Sequence, residues 1–175
     1  MSVQRLPNGG IVLFWCGATL KVLLVWLILS VVGCADRDGN TFRIGIPRPP
    51  VTLDPRFVTD ATSSRLTRLL HRSLVDFDDE ANPHSEIAQW QQLSPVHYRF
   101  SLDGDALFGD GTRVEASDVV ATYSSVLDPL MGSPHRAPLL NIRGMEVIDA
   151  RTVEFYLTKP DFRFTGLGTL GVNKG

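Results

Sequence analysis

The stretch Ala106–Pro129, ALFGDGTRVEASDVVATYSSVLDP, limits the possible folds more than any other part of the chain. A tight loop, Phe108-Gly109-Asp110-Gly111-Thr112, leads directly into an amphipathic segment. Ala116, Val119, Val120, Tyr123, Val126 and Leu127 recur at three- and four-residue steps, which places them on one face of a helix. Glu115 and Asp118 sit at its start, where negative charge meets the positive end of the helix dipole. Pro129 stops the helix and pushes Asp128 out of the α region. Asp110-Gly111 supplies the turn, because glycine tolerates positive φ without a Cβ clash. Such a unit needs a sheet or other layer to cover its apolar face.

Strand patterns lie on both sides of it. Thr41–Ile46 alternates β-formers and ends at Pro47, Pro49 and Pro50. His97–Leu102 puts Tyr98, Phe100 and Leu102 on one face and turns at Asp103-Gly104. Ile142–Asp149 and Thr152–Leu157 form a hairpin around Asp149-Ala150-Arg151, with Val153, Phe155 and Leu157 alternating against Thr152, Glu154 and Tyr156. A second helix follows Thr62 or Ser63 as cap, with Leu66, Leu69, Leu70 and Leu74 on one side and Arg65, Arg68, His71 and Arg72 on the other. Asp76, Asp78, Asp79 and Glu80 read as a solvated loop, because the glycine and distal glutamate of an EF-hand are missing. Met131–Pro138 lacks periodicity and reads as a surface loop.

The N-terminus carries an address. Residues 22–33, VLLVWLILSVVG, are an uninterrupted apolar run behind Lys21. About 12 helical residues span about 18 Å, short of a ~30 Å hydrocarbon core and matched to the apolar part of a signal peptide. The run ends in Val31-Val32-Gly33-Cys34 and turns polar at once, which resembles a bacterial lipobox with Cys34 as the lipidated first residue. The alternative is an uncleaved anchor from Ile11 to Gly33, in which the central Lys21 costs roughly 2.5–3.5 kcal/mol. Both place the body of the chain outside the cytoplasm. No cysteine follows Cys34, so nothing in the body of the chain can pair with it or with Cys16.

Arg5 and Lys21 are the only charged side chains before Cys34, leaving 15 basic against 19 acidic residues after it. That balance argues against a nucleic-acid partner, which favours a basic patch. No catalytic constellation is visible: His71, His84, His97 and His135 are scattered, and there is no G-x-S-x-G, P-loop or C-x-x-C. Neither a cofactor nor a metal is expected. Gly166-Leu167-Gly168 is too short a fragment to count as a phosphate loop.

In wording and order, six segments resemble the family 5 extracellular solute-binding proteins, the dipeptide, oligopeptide and nickel receptors of ABC importers. Phe108, Asp110, Gly111, Glu115, Ala116, Asp118, Val119 and Val120 match its F-x-D-G signature. Leu53-Asp54-Pro55, Leu70–Val75, Pro83–Trp90 and His97–Leu102 follow its earlier segments, and Val147, Asp149, Thr152, Val153, Phe155, Leu157 and Pro160 its hairpin. At Leu70–Val75 the chain departs from the family, with His71 and Arg72 where tyrosine and an acid are usual.

The resemblance implies an α+β (α/β) fold, the N-terminal part of a type II periplasmic-binding-protein-like architecture with a mixed sheet and packed helices, preceded by the hydrophobic signal helix. It divides the chain into a signal peptide (1–33), a linker (34–40), a partial solute-binding domain (41–165) holding the first strand of lobe one and its inserted subdomain, and a truncated tail (166–175). It implies capture of short peptides or related solutes for ABC permease subunits, at the extracytoplasmic face of a bacterial membrane held through the Cys34 lipid. Carried over, the ligand-lining residues fall on Thr59, Asp60, Ala61 and Thr62, where Asp60 either meets an ammonium group or caps the next helix. Family members are much longer, so weak or absent binding by the chain alone is expected. A small envelope lipoprotein serving as an interaction module and a non-functional fragment are the alternatives.

Overall fold

A computed structural model describes residues 43 and 45–175. The apolar run 22–33, Cys16, Cys34, the 34–40 linker and most of the expected first strand (Thr41, Phe42, Ile44) lie outside the described residues. Of that strand, Arg43, Gly45 and Ile46 are described and are not in a strand. Ile46–Gly175 forms one compact unit.

In chain order this unit holds helix α1 (Ala61–Leu70), strands β1 (Val75–Phe77), β2 (Pro83–Ser85), β3 (Ala88–Ser94) and β4 (His97–Leu102), and helix α2 (Ala116–Leu127). A 3-10 turn (Pro129–Met131), the single-turn helix α3 (Arg136–Leu139), strands β5 (Ile142–Asp149) and β6 (Thr152–Leu157) and a 3-10 helix (Phe164–Thr169) complete it. β1 and β2 pair separately, and the main sheet has the order β3-β4-β6-β5. All pairings among the described residues are antiparallel. A parallel partner, which a mixed sheet needs, is not among them. For two of the pairs the reason is connectivity: Pro95-Val96 joins β3 to β4 and Ala150-Arg151 joins β5 to β6, and so short a link permits only antiparallel pairing.

The loop and helix of Ala106–Pro129 form as their residues dictate. Gly111 sits at φ 82°, while Asp110 Oδ1 accepts from the Thr112 amide at 2.9 Å and from its hydroxyl at 2.6 Å. Those two bonds, with Lys174 behind them, hold the Asp110 carboxyl far below the usual carboxylate range. Glu115 is the N-cap of α2, and its amide donates to Asp118 at 2.9 Å. Asp128 ends the helix in an extended conformation ahead of Pro129.

The core lies between α2 and one face of the sheet. Ala116, Val119, Tyr123 and Val126 meet Tyr98, Phe100 and Leu102 of β4 and Val153, Phe155 and Leu157 of β6, all buried. Phe155 is central, with its ring centroid 5.4 Å from Phe100, 5.2 Å from Tyr123 and 5.5 Å from Phe164. Burial pushes the Tyr123 phenol well above its ordinary value, and its hydroxyl is satisfied by donating to the Leu167 carbonyl at 2.9 Å.

One polar residue breaks the strict alternation expected of β6. Glu154 is only 4% exposed although it faces away from α2. Arg99 grips it with Nε at 2.8 Å and Nη2 at 2.6 Å. His97 Nε2 lies 2.7 Å from its other oxygen, and the Tyr156 hydroxyl donates to it at 2.8 Å. Its neighbours on β4 and β6 screen it, so the pleat alone does not decide burial.

Helix α1 departs further from expectation. Its cap is Asp60, not Thr62 or Ser63, with Oδ1 accepting from the Ser63 amide at 2.9 Å. Its buried residues are Ser63 and Thr67, whereas Leu69 and Leu70 are 68% and 57% exposed. The small hydroxyl residues are buried because Ser63 Oγ accepts from the backbone of Val51 at 2.9 Å and of Thr52 at 3.3 Å, which pins the preceding loop onto the helix. The stretch Met131–Pro138, expected as plain loop, includes the end of the 3-10 turn and the start of α3.

Residues 166–175 pack closely against the rest. The 3-10 helix Phe164–Thr169 runs across the 165/166 division, Gly171 bridges Ser73, and Val172 is 2% exposed. A Cβ built on Gly171 would stand 2.9 Å from that of His71 and 3.1 Å from that of Pro55, so this close approach needs glycine. Asn173 then donates to Asp54 at 3.1 Å and the Gly175 amide to Asp118 at 2.9 Å.

Candidate solute cleft

Chain direction around Pro55 brings the cleft together. Asp54 anchors the loop: its carboxylate accepts the Arg56 amide at 3.0 Å and the Arg56 guanidinium at 2.9 and 2.6 Å. The guanidinium beside it holds the Asp54 carboxyl below its ordinary value. Arg56 reaches Ser125 of α2 at 3.1 Å, and its carbonyl accepts from Ser133 at 2.6 Å. The loop is thus fixed at both ends before α1 begins.

Beyond it opens a cleft of about 1130 Å³. Thr59, Asp60 and Ala61 line it, together with Ser64 and Arg68 of α1 and His71 just beyond that helix. Further lining comes from Asp76–Asp79 and Glu86, from His135 and Leu139, and from Gly166, Leu167 and Thr169–Gly171. Of the four residues expected to meet ligand, three therefore share this cleft. Thr62 is not among the lining residues. Cys34 lies outside the described residues.

Electrostatically the cleft is mixed. Arg68 pairs with Asp76 at 2.6 Å and Arg72 with Glu86 at 3.6 Å. Glu86 also accepts from the Ser73 amide at 2.7 Å, and Asp78 closes its own turn by accepting the amides of Glu80 and Asn82 at 3.0 and 2.8 Å. The acidic run read as a solvated loop is in part a wall, with Asp76 inside β1. Asp60 is divided between two roles. The Ser63 hydroxyl and amide hold its carboxyl below the ordinary range through Oδ1, whereas Oδ2 is buried without a hydrogen-bond partner among the described residues. The cap is what the geometry shows. Asp60→Ala should lower the melting midpoint by a few degrees while Asp60→Ser, which still caps, retains most of it. A differential scanning fluorimetry series with both variants checks this, and equal losses would remove the cap from the explanation.

His135, Leu139 and the 166–171 stretch carry no local motif, so sequence reasoning missed them as lining residues. Only the path of the chain brings them into one cleft with Thr59–Ala61. Among the described residues no three His, Cys, Asp or Glu side chains converge as a metal site. The described histidines are dispersed, with His71 Nε2 3.1 Å from the Leu53 carbonyl and His97 on Glu154. No helix among the described residues is long and apolar enough to cross a membrane.

Comparison with known proteins agrees with this architecture. Residues 87–171 match the family model of bacterial extracellular solute-binding proteins, family 5 Middle. Among solved structures, the Escherichia coli murein tripeptide binding protein MppA superposes with a TM-score of 0.65 at 27% identity, over 69% of this chain and 27% of that one. The pheromone receptor PrgZ, whose mode of peptide binding has been solved, gives 0.66 at 27% identity over the same shares. Among curated proteins, the HTH-type transcriptional regulator SgrR of Escherichia coli (strain K12) is 29% identical over 147 residues, 82% of this chain and 25% of that protein. The chain thus spans about a quarter of the length of the curated relatives it matches.

Proposed function

We propose that this chain, whose residues 87–171 match the family model of bacterial extracellular solute-binding proteins, family 5 Middle, supplies one wall of a site for short peptides or a related small solute, on the extracytoplasmic side of a bacterial membrane and in the service of an ABC permease. The observation that carries this reading is the cleft itself: Thr59, Asp60 and Ala61, reached through the family's Leu-Asp-Pro segment, face a space of about 1130 Å³ in a fold similar to that of two peptide-binding receptors. Peptide backbone is bound chiefly by main-chain hydrogen bonds, while roomy wet pockets accept varied side chains. Receptors of this kind enclose a ligand by hinge closure of two lobes, and one wall alone cannot desolvate it. Isothermal titration calorimetry with di- and tripeptides should therefore show binding no tighter than the millimolar range, about −4 kcal/mol. Micromolar affinity would overturn the one-wall reading, and saturable binding that Thr59 and Ala61 substitutions leave unchanged would move the site elsewhere.

The likeness to a transcriptional regulator favours a second reading, in which solute in the same cleft is sensed and not imported. The two differ in compartment. Incorporation of a clickable fatty acid that Cys34→Ser abolishes would favour the exported lipoprotein, and its absence the sensor.

A further inference from the structure

We infer that β3 is a self-association edge, pairing antiparallel with β3 of a second copy of this chain about a two-fold axis through Gln91. The main sheet ends at β3 on one side and β5 on the other. Edge strands are usually blunted by charge, proline or bulges, because their unpaired amides and carbonyls invite another strand. β5 is blunted: its register with β6 shifts twice, and it carries Arg143, Glu146 and Asp149. β3 is blunted only at its far end, where the register with β4 shifts between Gln92 and Ser94 and Pro95 follows; from Ala88 to Gln92 the pairing is regular and no side chain is charged.

The hydrogen-bond phase says which backbone groups face outward. Leu102 donates across to Arg151, and Ala88, opposite Leu102, donates to Leu74. The Ala88–Leu102 pair is therefore non-hydrogen-bonded, and alternation makes Trp90–Phe100 and Gln92–Tyr98 the same. The N–H and C=O groups of Trp90 and Gln92 consequently point away from β4. Neither residue has a backbone partner beyond the sheet among the described residues.

These outward groups are self-complementary in one register. With Gln91 opposite itself, Trp90 stands opposite Gln92 of the second copy, and both exchange N–H···O=C bonds on each side of the axis. Centring on Trp90 instead would call on Ala88, whose amide Leu74 already occupies. Opposite residues share a face, so Trp90, packed at the edge of the core, extends that core toward its counterpart, while the exposed Gln89 and Gln91 meet uncharged side chains.

Sedimentation equilibrium of the full chain in detergent should show a monomer–dimer equilibrium. Gln92→Pro removes one outward amide and no bond to β4, so it should weaken the dimer at least tenfold with the circular dichroism spectrum unchanged. A second test does not depend on that variant folding. In a full-length Cys16→Ser, Cys34→Ser background, Gln91→Cys places two thiols across the axis with Cα atoms about 4.5 Å apart, within disulfide reach. Gln89→Cys sets them about 13 Å apart along the strands, beyond it. Cross-linking at 91 should exceed that at 89 at least tenfold. A strictly monomeric chain, a dimer that Gln92→Pro does not weaken, or equal cross-linking at 89 and 91 would each overturn the proposal. The second of these would assign association to the apolar N-terminal run.

Discussion

Phe155→Ala is expected to lower the unfolding free energy by about 3–5 kcal/mol, the range for removing a fully buried aromatic ring. Phe155 is 1% exposed and has Phe100, Tyr123 and Phe164 around it. These three come from β4, α2 and the 3-10 helix, so the ring ties together the sheet, the helix above it and a segment that lines the cleft. Transfer of the ring to water is one part of the loss. The edge-on and tilted ring pairs add about 0.5–1.5 kcal/mol each, and rigid strands on both sides limit collapse into the cavity. Domains of this size are stable by only about 5–15 kcal/mol, so the variant should sit close to its unfolding threshold. Urea denaturation read by circular dichroism gives the test: the midpoint should fall with the slope unchanged. Phe155→Leu, which refills much of the volume but loses the ring pairs, should cost less than Phe155→Ala, about 1.5–3 kcal/mol. Equal losses for the two would mean that the ring pairs, which both variants lose, and not the filled volume carry the effect.

The second large effect concerns acid stability. Glu154 has its carboxyl held down to about 2, first by the Arg99 guanidinium and then by the Tyr156 hydroxyl and His97, against desolvation that pushes it up. A carboxyl depressed in the folded state contributes stability that is complete above its unfolded value near 4.5. That contribution is lost progressively as the pH falls toward about 2, where the folded carboxyl also takes up a proton. Arg99→Leu removes the main cause. It leaves a buried carboxylate with two neutral or weaker partners, and breaking a fully buried pair costs about 3–5 kcal/mol. Here the Arg99 side chain is 42% exposed, so solvent already screens part of the attraction, and about 1.5–3 kcal/mol at neutral pH is expected. Between pH 5 and pH 2 the variant should lose less additional stability than the parent, and the two curves should converge. A constant offset between them down to pH 2 would show that Arg99 acts by packing and not through the Glu154 charge.

Several elements were legible in the sequence because their causes are local. The 3.6-residue spacing from Ala116 to Leu127 and the two-residue spacing of Tyr98, Phe100 and Leu102 follow from how each backbone projects its side chains, whatever lies opposite. The Asp110-Gly111 turn and the stop at Pro129 are covalent constraints of single residues. Thr59, Asp60 and Ala61, which the resemblance at the Leu-Asp-Pro segment implies as ligand-lining, share one cleft where the anchored loop enters α1. Thr62, the fourth residue that the resemblance implies, is not among the lining residues; a helix turns successive residues by about 100°.

What only the tertiary structure decided is everything that depends on a distant partner. Leu69 and Leu70 are placed as a core face by their spacing, yet Ser63 and Thr67 are buried instead, because the 51–52 backbone needs a hydroxyl acceptor there. Glu154 looks like a solvent-facing position of β6 until β4 lays His97 and Arg99 beside it. The strand order, the cleft lining at His135, Leu139 and within 166–171, and the outward phase of β3 all require knowing which segment returns next to which. By itself the sequence determined periodicity, turns and helix ends, which are written into the geometry of a few consecutive residues. Pairing and enclosure belong to the fold, because their free energy is shared between residues tens of positions apart.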